Sequence, residues 1–234
     1  MILGGQDTSA SGYAKGPEEW NSLLDRPDSQ WKPGYSAYSL AHCWHETSGF
    51  PESVRHAFTT SLIDPDLRNP IPLLAIPEFK VGMPGGGRSQ SDLLVLARAK
   101  NDLVAIVVEG KVAESFGPKV RMWMQRPTKG KVIRLKYLCQ ELGLDYDVIR
   151  VSDYRYQFFH RTVSALILAR EFCARWAVML VQSFDPGNTG FQDCATFAEL
   201  LGIRAEVGDM SPVPGRSRPN LFIGWVNSPA PGGK

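Results

Sequence analysis

The chain has almost no net charge, no closely spaced cysteines and no long apolar run, and each shortage removes a class of protein. Against 24 Asp and Glu stand 26 Lys and Arg, a formal charge of +2 over 234 residues. Attraction to a polyanion would have to come from where the charges sit, not from their sum. Only four cysteines occur, Cys43, Cys139, Cys173 and Cys194, and none forms a Cys-x-x-Cys pair. That excludes a zinc ribbon and a thioredoxin-type motif. Three of them fall within apolar helical patterns, and all four are expected to be reduced core residues in a reducing compartment. No stretch approaches the roughly 20 apolar residues of a spanning helix. No basic start leads into an apolar run as in a secretory leader. The expectation is a cytoplasmic protein with no membrane partner.

The remaining composition is that of an ordinary globular chain, 43% hydrophobic and 21% charged. A chain of this size buries roughly 70% or more of its unfolded surface, so it needs no disulfide staple. Residues 1–16, rich in Gly, Ser and Ala, read as a flexible arm, 17–227 as one domain, and 228–234 as a flexible tail. The stretch from Gly208 to Pro219 reads as loop. No repeat divides the domain.

The hydrophobic periods change in an informative order along it. Ser36 can cap a helix running to about Ser48, and Pro51 can open another reaching Thr60. Ile71 to Val81, Asp92 to Ala97 and Leu103 to Val112 read as strands, the first two joined by a loop through Gly85, Gly86 and Gly87. Lys131 to Leu142 has helical spacing and stops at Gly143. Tyr146 to Val151 reads as a strand, Asp153 as the cap of a long helix to about Ala174, and Ala177 to Val181 and Leu221 to Val226 as buried strands. Such an order makes an α/β domain with a mixed central sheet flanked by helices.

A hairpin carries the chemistry. A turn centred on Lys100 and Asn101 places Asp92 directly opposite Glu109, where cross-strand Cβ atoms lie about 4.5–5.5 Å apart. Lys111 shares the face of Glu109 because strand side chains alternate. Two facing carboxylates repel unless something lies between them, and removing either should relieve that strain. A divalent cation held by oxygens, Mg²⁺ or Mn²⁺, would do so. It would also polarise a phosphoryl oxygen and acidify a bound water, with Lys111 offsetting developing charge.

Asp92 followed by Glu109-Gly110-Lys111 resembles the PD-(D/E)XK nuclease superfamily. The wider wording is similar to a bacterial branch of it: Pro77-Glu78, Gly85-Gly86, Ser89-Gln90-Ser91-Asp92, Phe116-Gly117-Pro118, Arg155-Tyr156-Gln157 and His160-Arg161-Thr162. The resemblance implies a restriction-endonuclease-like αβββαβ core and a Mg²⁺ (or Mn²⁺) dependent nuclease, with DNA the favoured substrate. It implies catalytic roles for Asp92, Glu109, Lys111 and Gln157. It also implies a further metal carboxylate from the first core helix, for which Glu46 is the candidate and Glu78 on the first strand its rival. Ser91 stands where many members have Pro. Gln157 is followed by Arg161 where some members have Tyr.

Gln157, His160, Arg161 and Ser164 form a polar stripe at helical spacing, facing either the metal site or solvent. From Gly117 to Lys136 there is no acid, and Lys119, Arg121, Lys129 and Lys131 are candidate contacts to a nucleic-acid backbone, with Arg161 a further phosphate contact. Trp123 among them could stack a base. Gly85-Gly86-Gly87-Arg88-Ser89 lacks the Gly-Lys-Ser/Thr ending and the following helix of a nucleotide-binding loop. His42 and His45 read as ordinary helix residues. A second copy, as a homodimer, is a further partner to expect. The alternative function is a restriction-endonuclease-like domain that binds nucleic acid or protein without cleaving. A third reading is a structural domain whose acids form a surface ion pair.

Overall fold

A computed structural model describes residues 16–61 and 63–232. The expected N-terminal arm lies outside the described residues except for Gly16. A 3₁₀ turn (Pro17–Leu23) leads to α1 (Pro27–Gln30), α2 (Ser36–His45) and α3 (Glu52–Thr60). The strands β1 (Ile71–Gly82), β2 (Arg88–Ala99) and β3 (Asp102–Lys111) follow as a meander. Then come α4 (Val120–Trp123), α5 (Lys129–Leu142), α6 (Tyr156–Glu171), β4 (Trp176–Ser183), α7 (Phe191–Leu200), β5 (Asp209–Pro212) and β6 (Asn220–Asn227). One six-stranded sheet has the order β1-β2-β3-β4-β6-β5. Its β1, β2 and β3 pair antiparallel, β3, β4 and β6 pair parallel, and β5 returns antiparallel on β6. The mixed α/β architecture expected from the alternating periods is therefore present.

Both faces of the sheet are covered. On one, α5, α6 and α7 bury Leu138, Phe159, Leu166 and Phe197 against Val107, Met179 and Ile223. On the other, α2, α3 and the N-terminal segment bury Leu40, Trp44, Phe58 and Trp20 against Val95, Ile106 and Val178. That is why β4 is buried at every position and reads as an unbroken apolar run, as parallel strands covered on both faces do.

Several local expectations need correction. Ser36 is the first residue of α2, not its cap. No side chain of Tyr35 caps it, and Glu114 instead accepts the Ser36 N–H at 2.9 Å. Residues 146–151 form no strand, and 148–151 are a turn, with Ile149 at 84% exposure. Asp153 does not cap α6. It pairs with Arg121 and, at 3.8 Å, with Lys119. The loop expected from Gly208 contains β5. The expected tail begins on a fixed residue, because Ser228 is buried and its N–H donates to Ser183 at 2.8 Å. All four cysteines are free, but Cys173 is exposed and Cys43 half-buried, so only Cys139 and Cys194 belong to the core.

Candidate active site

The hairpin register is the one the turn dictates. Ala99 pairs with Asp102 and Leu93 with Val108, which leaves Asp92 opposite Glu109 one step beyond the last paired residues. The Gly110 N–H donates to Asp92 Oδ2 at 2.9 Å and ties the two strands at that point. On the far side of β2, Pro77 pairs with Leu93 and Phe79 with Ser91. Glu78 thus stands level with Asp92, its backbone at φ 53°, a left-handed conformation uncommon for a non-glycine residue and one that gathers at functional sites. Three carboxyls, Glu78, Asp92 and Glu109, run in a row across β1, β2 and β3.

The α6 stripe faces this row. Gln157 Nε2 donates to Glu109 Oε1 at 2.6 Å, and Arg161 Nε to Glu109 Oε2 at 2.5 Å. Lys111 Nζ donates to Glu109 Oε1 at 2.8 Å. Arg161 also lies 4.0 Å from Asp92 Oδ1 and donates to Ser89 Oγ at 3.1 Å. Ser164 and His160 complete a polar knot on Ser89, at 3.0 and 2.8 Å. A guanidinium has no acceptor, and Arg161 Nη1 lies 3.5 Å from His160 Nδ1. Nδ1 therefore carries the lone pair, and the proton of the neutral ring is on Nε2. Burial, and then the Arg161 charge, hold His160 well below the usual imidazole range.

The acids are in opposite states. Burial alone would raise Glu109, but Arg161 and Lys111 outweigh it and bring its carboxyl down to about 2. Asp92 is pushed up to about 7 by burial and then by Glu109. Glu78 is pushed up to about 8 by burial and then by Asp92. Burial opposes the charge on Lys111, but Glu109 and Asp92 hold its pKa above the ordinary value. Negative charge at Asp92 and Glu78 is thus only partly compensated by the chain's own cations. A divalent cation would supply the deficit, and an all-oxygen donor set suits Mg²⁺ or Mn²⁺. Among the described residues, no three His, Cys, Asp or Glu side chains form a ready-made metal cage. A cation there would be held by one or two carboxylates, with the rest of its shell water.

Glu46 is not brought to this row. It follows the end of α2, its side chain is 65% exposed and 3.8 Å from His42, and it lines a separate hollow with Cys43 and Pro51. Its rival Glu78 is the one that the structure gathers in. His42 and His45 do not form a metal pair, since His45 Nε2 accepts from Trp20. Arg161 is not an exposed phosphate contact, being buried and committed to Glu109. Lys129 is exposed, whereas Arg121 is paired with Asp153 and Lys131 donates to the Trp123 carbonyl. The Trp123 ring is already stacked on Tyr156, with centroids 3.9 Å apart, and Lys131 sits over it. The glycine-rich loop cannot cradle a phosphate. Its carbonyls at Pro84, Gly86 and Gly87 point at the buried Arg134 guanidinium.

Glu114 was not anticipated. It lines the same cleft of about 430 Å³ as Asp92, Glu109 and Lys111. Its carboxylate accepts the N–H groups of Ser36 and Val112, which hold its pKa down against burial. Only its nearness to Lys111 in the sequence could have signalled it.

Fold and cluster together define the class: an α/β mixed-sheet domain with a row of three acids, Glu109 buried and Glu78 and Asp92 half-buried, answered by a lysine and an arginine, at the floor of a cleft. A family model described as a domain of unknown function (DUF6946) matches residues 13–230, and the chain belongs to that family. No curated protein and no solved structure matches it.

Proposed function

We propose that the chain is a metal-dependent phosphodiesterase of the PD-(D/E)XK kind acting on nucleic acid, with DNA the favoured substrate. The observation that carries this reading is the hairpin register, which gathers Asp92, Glu109 and Lys111 at one cleft floor with Gln157 of α6 joined to them. Order αβββαβ from α2 to β4 and on to β6 supports the restriction-endonuclease-like core. A bound Mg²⁺ or Mn²⁺ would polarise the phosphoryl oxygen and lower the pKa of a water. Asp92 would hold it, with Glu109 or Glu78 as second carboxylate. Lys111 orients the attacking water and offsets charge developing on the phosphorane. Gln157 and Arg161 position Glu109, and Arg161 keeps it ionised. Lys129 and Lys131, in the first turn of α5, oppose the helix dipole. That is a costly placement which an anionic partner would offset.

One observation favours the alternative without cleavage. Both Glu109 oxygens already accept hydrogen bonds, from Lys111 and Gln157 on one and Arg161 on the other.

The test incubates single- and double-stranded DNA and RNA with Mg²⁺ or Mn²⁺. Cleavage should be lost in Asp92→Ala, Glu109→Gln and Lys111→Ala, while Lys111→Ala still binds metal. Equal activity in wild type and Lys111→Ala would identify a contaminant. Metal binding without cleavage of any substrate would establish the non-cleaving alternative.

A further inference from the structure

The N-terminal segment forms the facing wall of the candidate site. Leu24, Asp25, Ser29 and Gln30 line the same cleft as the acids. A second hollow, about 760 Å³, is lined by Asp25, Ser29, Gln30, Lys111 and Gln157, and also by Tyr156 and His160. The two hollows share five of these residues and so form one passage that runs under residues 24–30, past Lys111 and Gln157. The segment is anchored rather than loosely draped. Trp20 is fully buried and donates to His45 at 2.9 Å. Trp31 Nε1 donates to Glu18 at 3.1 Å, and Lys80 pairs with Asp25 at 3.5 Å.

We infer that the passage takes its nucleic acid as a single strand, and that residues 24–30 exclude continuous duplex. The inference rests on the nuclease reading and specifies its substrate. Lys111 is 6% and Glu109 3% exposed, so the scissile phosphate must descend to them. The two hollows, at about 430 and 760 Å³, have the space of roughly 14 and 25 waters at about 30 Å³ each. A duplex is stiff over about 150 base pairs, so it cannot turn its backbone past a facing wall to bring a phosphate to that depth. A single strand, free to turn about its backbone bonds, can. The rings of Trp123, Tyr156 and His160 already contact one another in a row, with centroids 3.9 and 4.9 Å apart. Bases are therefore not expected to intercalate there, and recognition falls on the backbone, without sequence preference.

The test measures binding with Ca²⁺ in place of Mg²⁺ or Mn²⁺, so that the acids are neutralised while its looser coordination leaves cleavage unsupported. The probes are labelled oligothymidine, oligouridine and a blunt DNA duplex of equal length, at low salt. Single strands should bind about tenfold or more tighter than duplex, and the ratio of the two strand probes distinguishes DNA from RNA. Glu18→Cys with Trp31→Cys, two residues in contact that flank the segment, in a Cys173→Ser background that removes the exposed thiol, is then bridged with a bismaleimide to hold the segment closed. Bridging should leave single-strand affinity within about twofold of the same variant unbridged. Duplex binding equal to single-strand binding would overturn the inference, as would loss of single-strand binding on bridging. Failure to bind all three probes would instead overturn the nuclease reading, and this inference with it.

Discussion

Asp92 and Glu109 face each other across two strands, yet their surroundings make them respond differently to change. Glu109 is the counter-ion of two buried cations, so removing it does not relieve repulsion as pairing alone would suggest; it strands Arg161. Arg161→Ala should cost about 3–5 kcal/mol, because it leaves Glu109 buried without its main partner. Asp92→Asn should be neutral or stabilising in metal-free protein, since its oxygen can still accept the Gly110 N–H while the repulsion with Glu109 disappears. Urea unfolding of the two variants checks this, and a larger loss in Asp92→Asn would contradict it. Stability should also depend on pH in a defined direction. Folding raises Asp92 to about 7 and Glu78 to about 8, above their unfolded values. The folded protein therefore holds more protons than the unfolded chain, and stability falls as pH rises through that range. Histidine titration works the other way at lower pH, where the low pKa of folded His160 costs stability. The window to measure is therefore pH 6.5–8.5. Metal-free protein should lose stability across it, and saturating Mn²⁺ should flatten the loss.

Among the elements, those whose partners lie close in sequence were legible. The β2–β3 register follows from a two-residue turn, and the α6 stripe from spacings of three and four residues. Contacts distant in sequence were not. Glu114 meets the start of α2 from 78 residues away, and no local pattern shows that residues 24–30 face Lys111. The choice between Glu46 and Glu78 also turned on tertiary placement, because only the sheet puts Glu78 level with Asp92. The helix α7 is not among the elements read from the sequence, although Phe191, Cys194, Phe197 and Ala198 have helical spacing. The fastening of the β1–β2 loop to α5 yields a sharp contrast. A Cβ on Gly85 would lie 2.2 Å from the Gly130 carbonyl oxygen, whereas one on Gly86 meets nothing within 4 Å. Both have positive φ, 86° and 88°. Gly86→Ala should cost only backbone strain, about 1–2 kcal/mol, and Gly85→Ala a further ~1–3 kcal/mol of overpacking. Thermal unfolding of the two variants side by side tests this, and equal losses would refute the tight fit.

For the molecule as a whole, a formal charge of +2 gives little long-range pull, so contact with a polyanion depends on a few exposed cations. Lys129→Ala should reduce the slope of log affinity against log salt by about 0.9 on duplex or 0.7 on single strands. Arg121→Ala should change it less, because Asp153 already neutralises that guanidinium. An equal change in both variants would mean that Asp153 lets go on binding. The sheet, finally, has two blunt margins. The outermost β1 carries Pro72 and Pro77, which have no N–H to offer a neighbour and are tolerated in sheets mainly at edges. At the other margin β5 is four residues long and ends in Pro212, and its Met210 N–H is already taken by Ser61 Oγ at 2.9 Å. Neither rim offers a template on which a second chain could extend the ladder. Concentrated protein should therefore resist fibre-like edge-to-edge growth, and any pairing of two copies is directed to the helical faces.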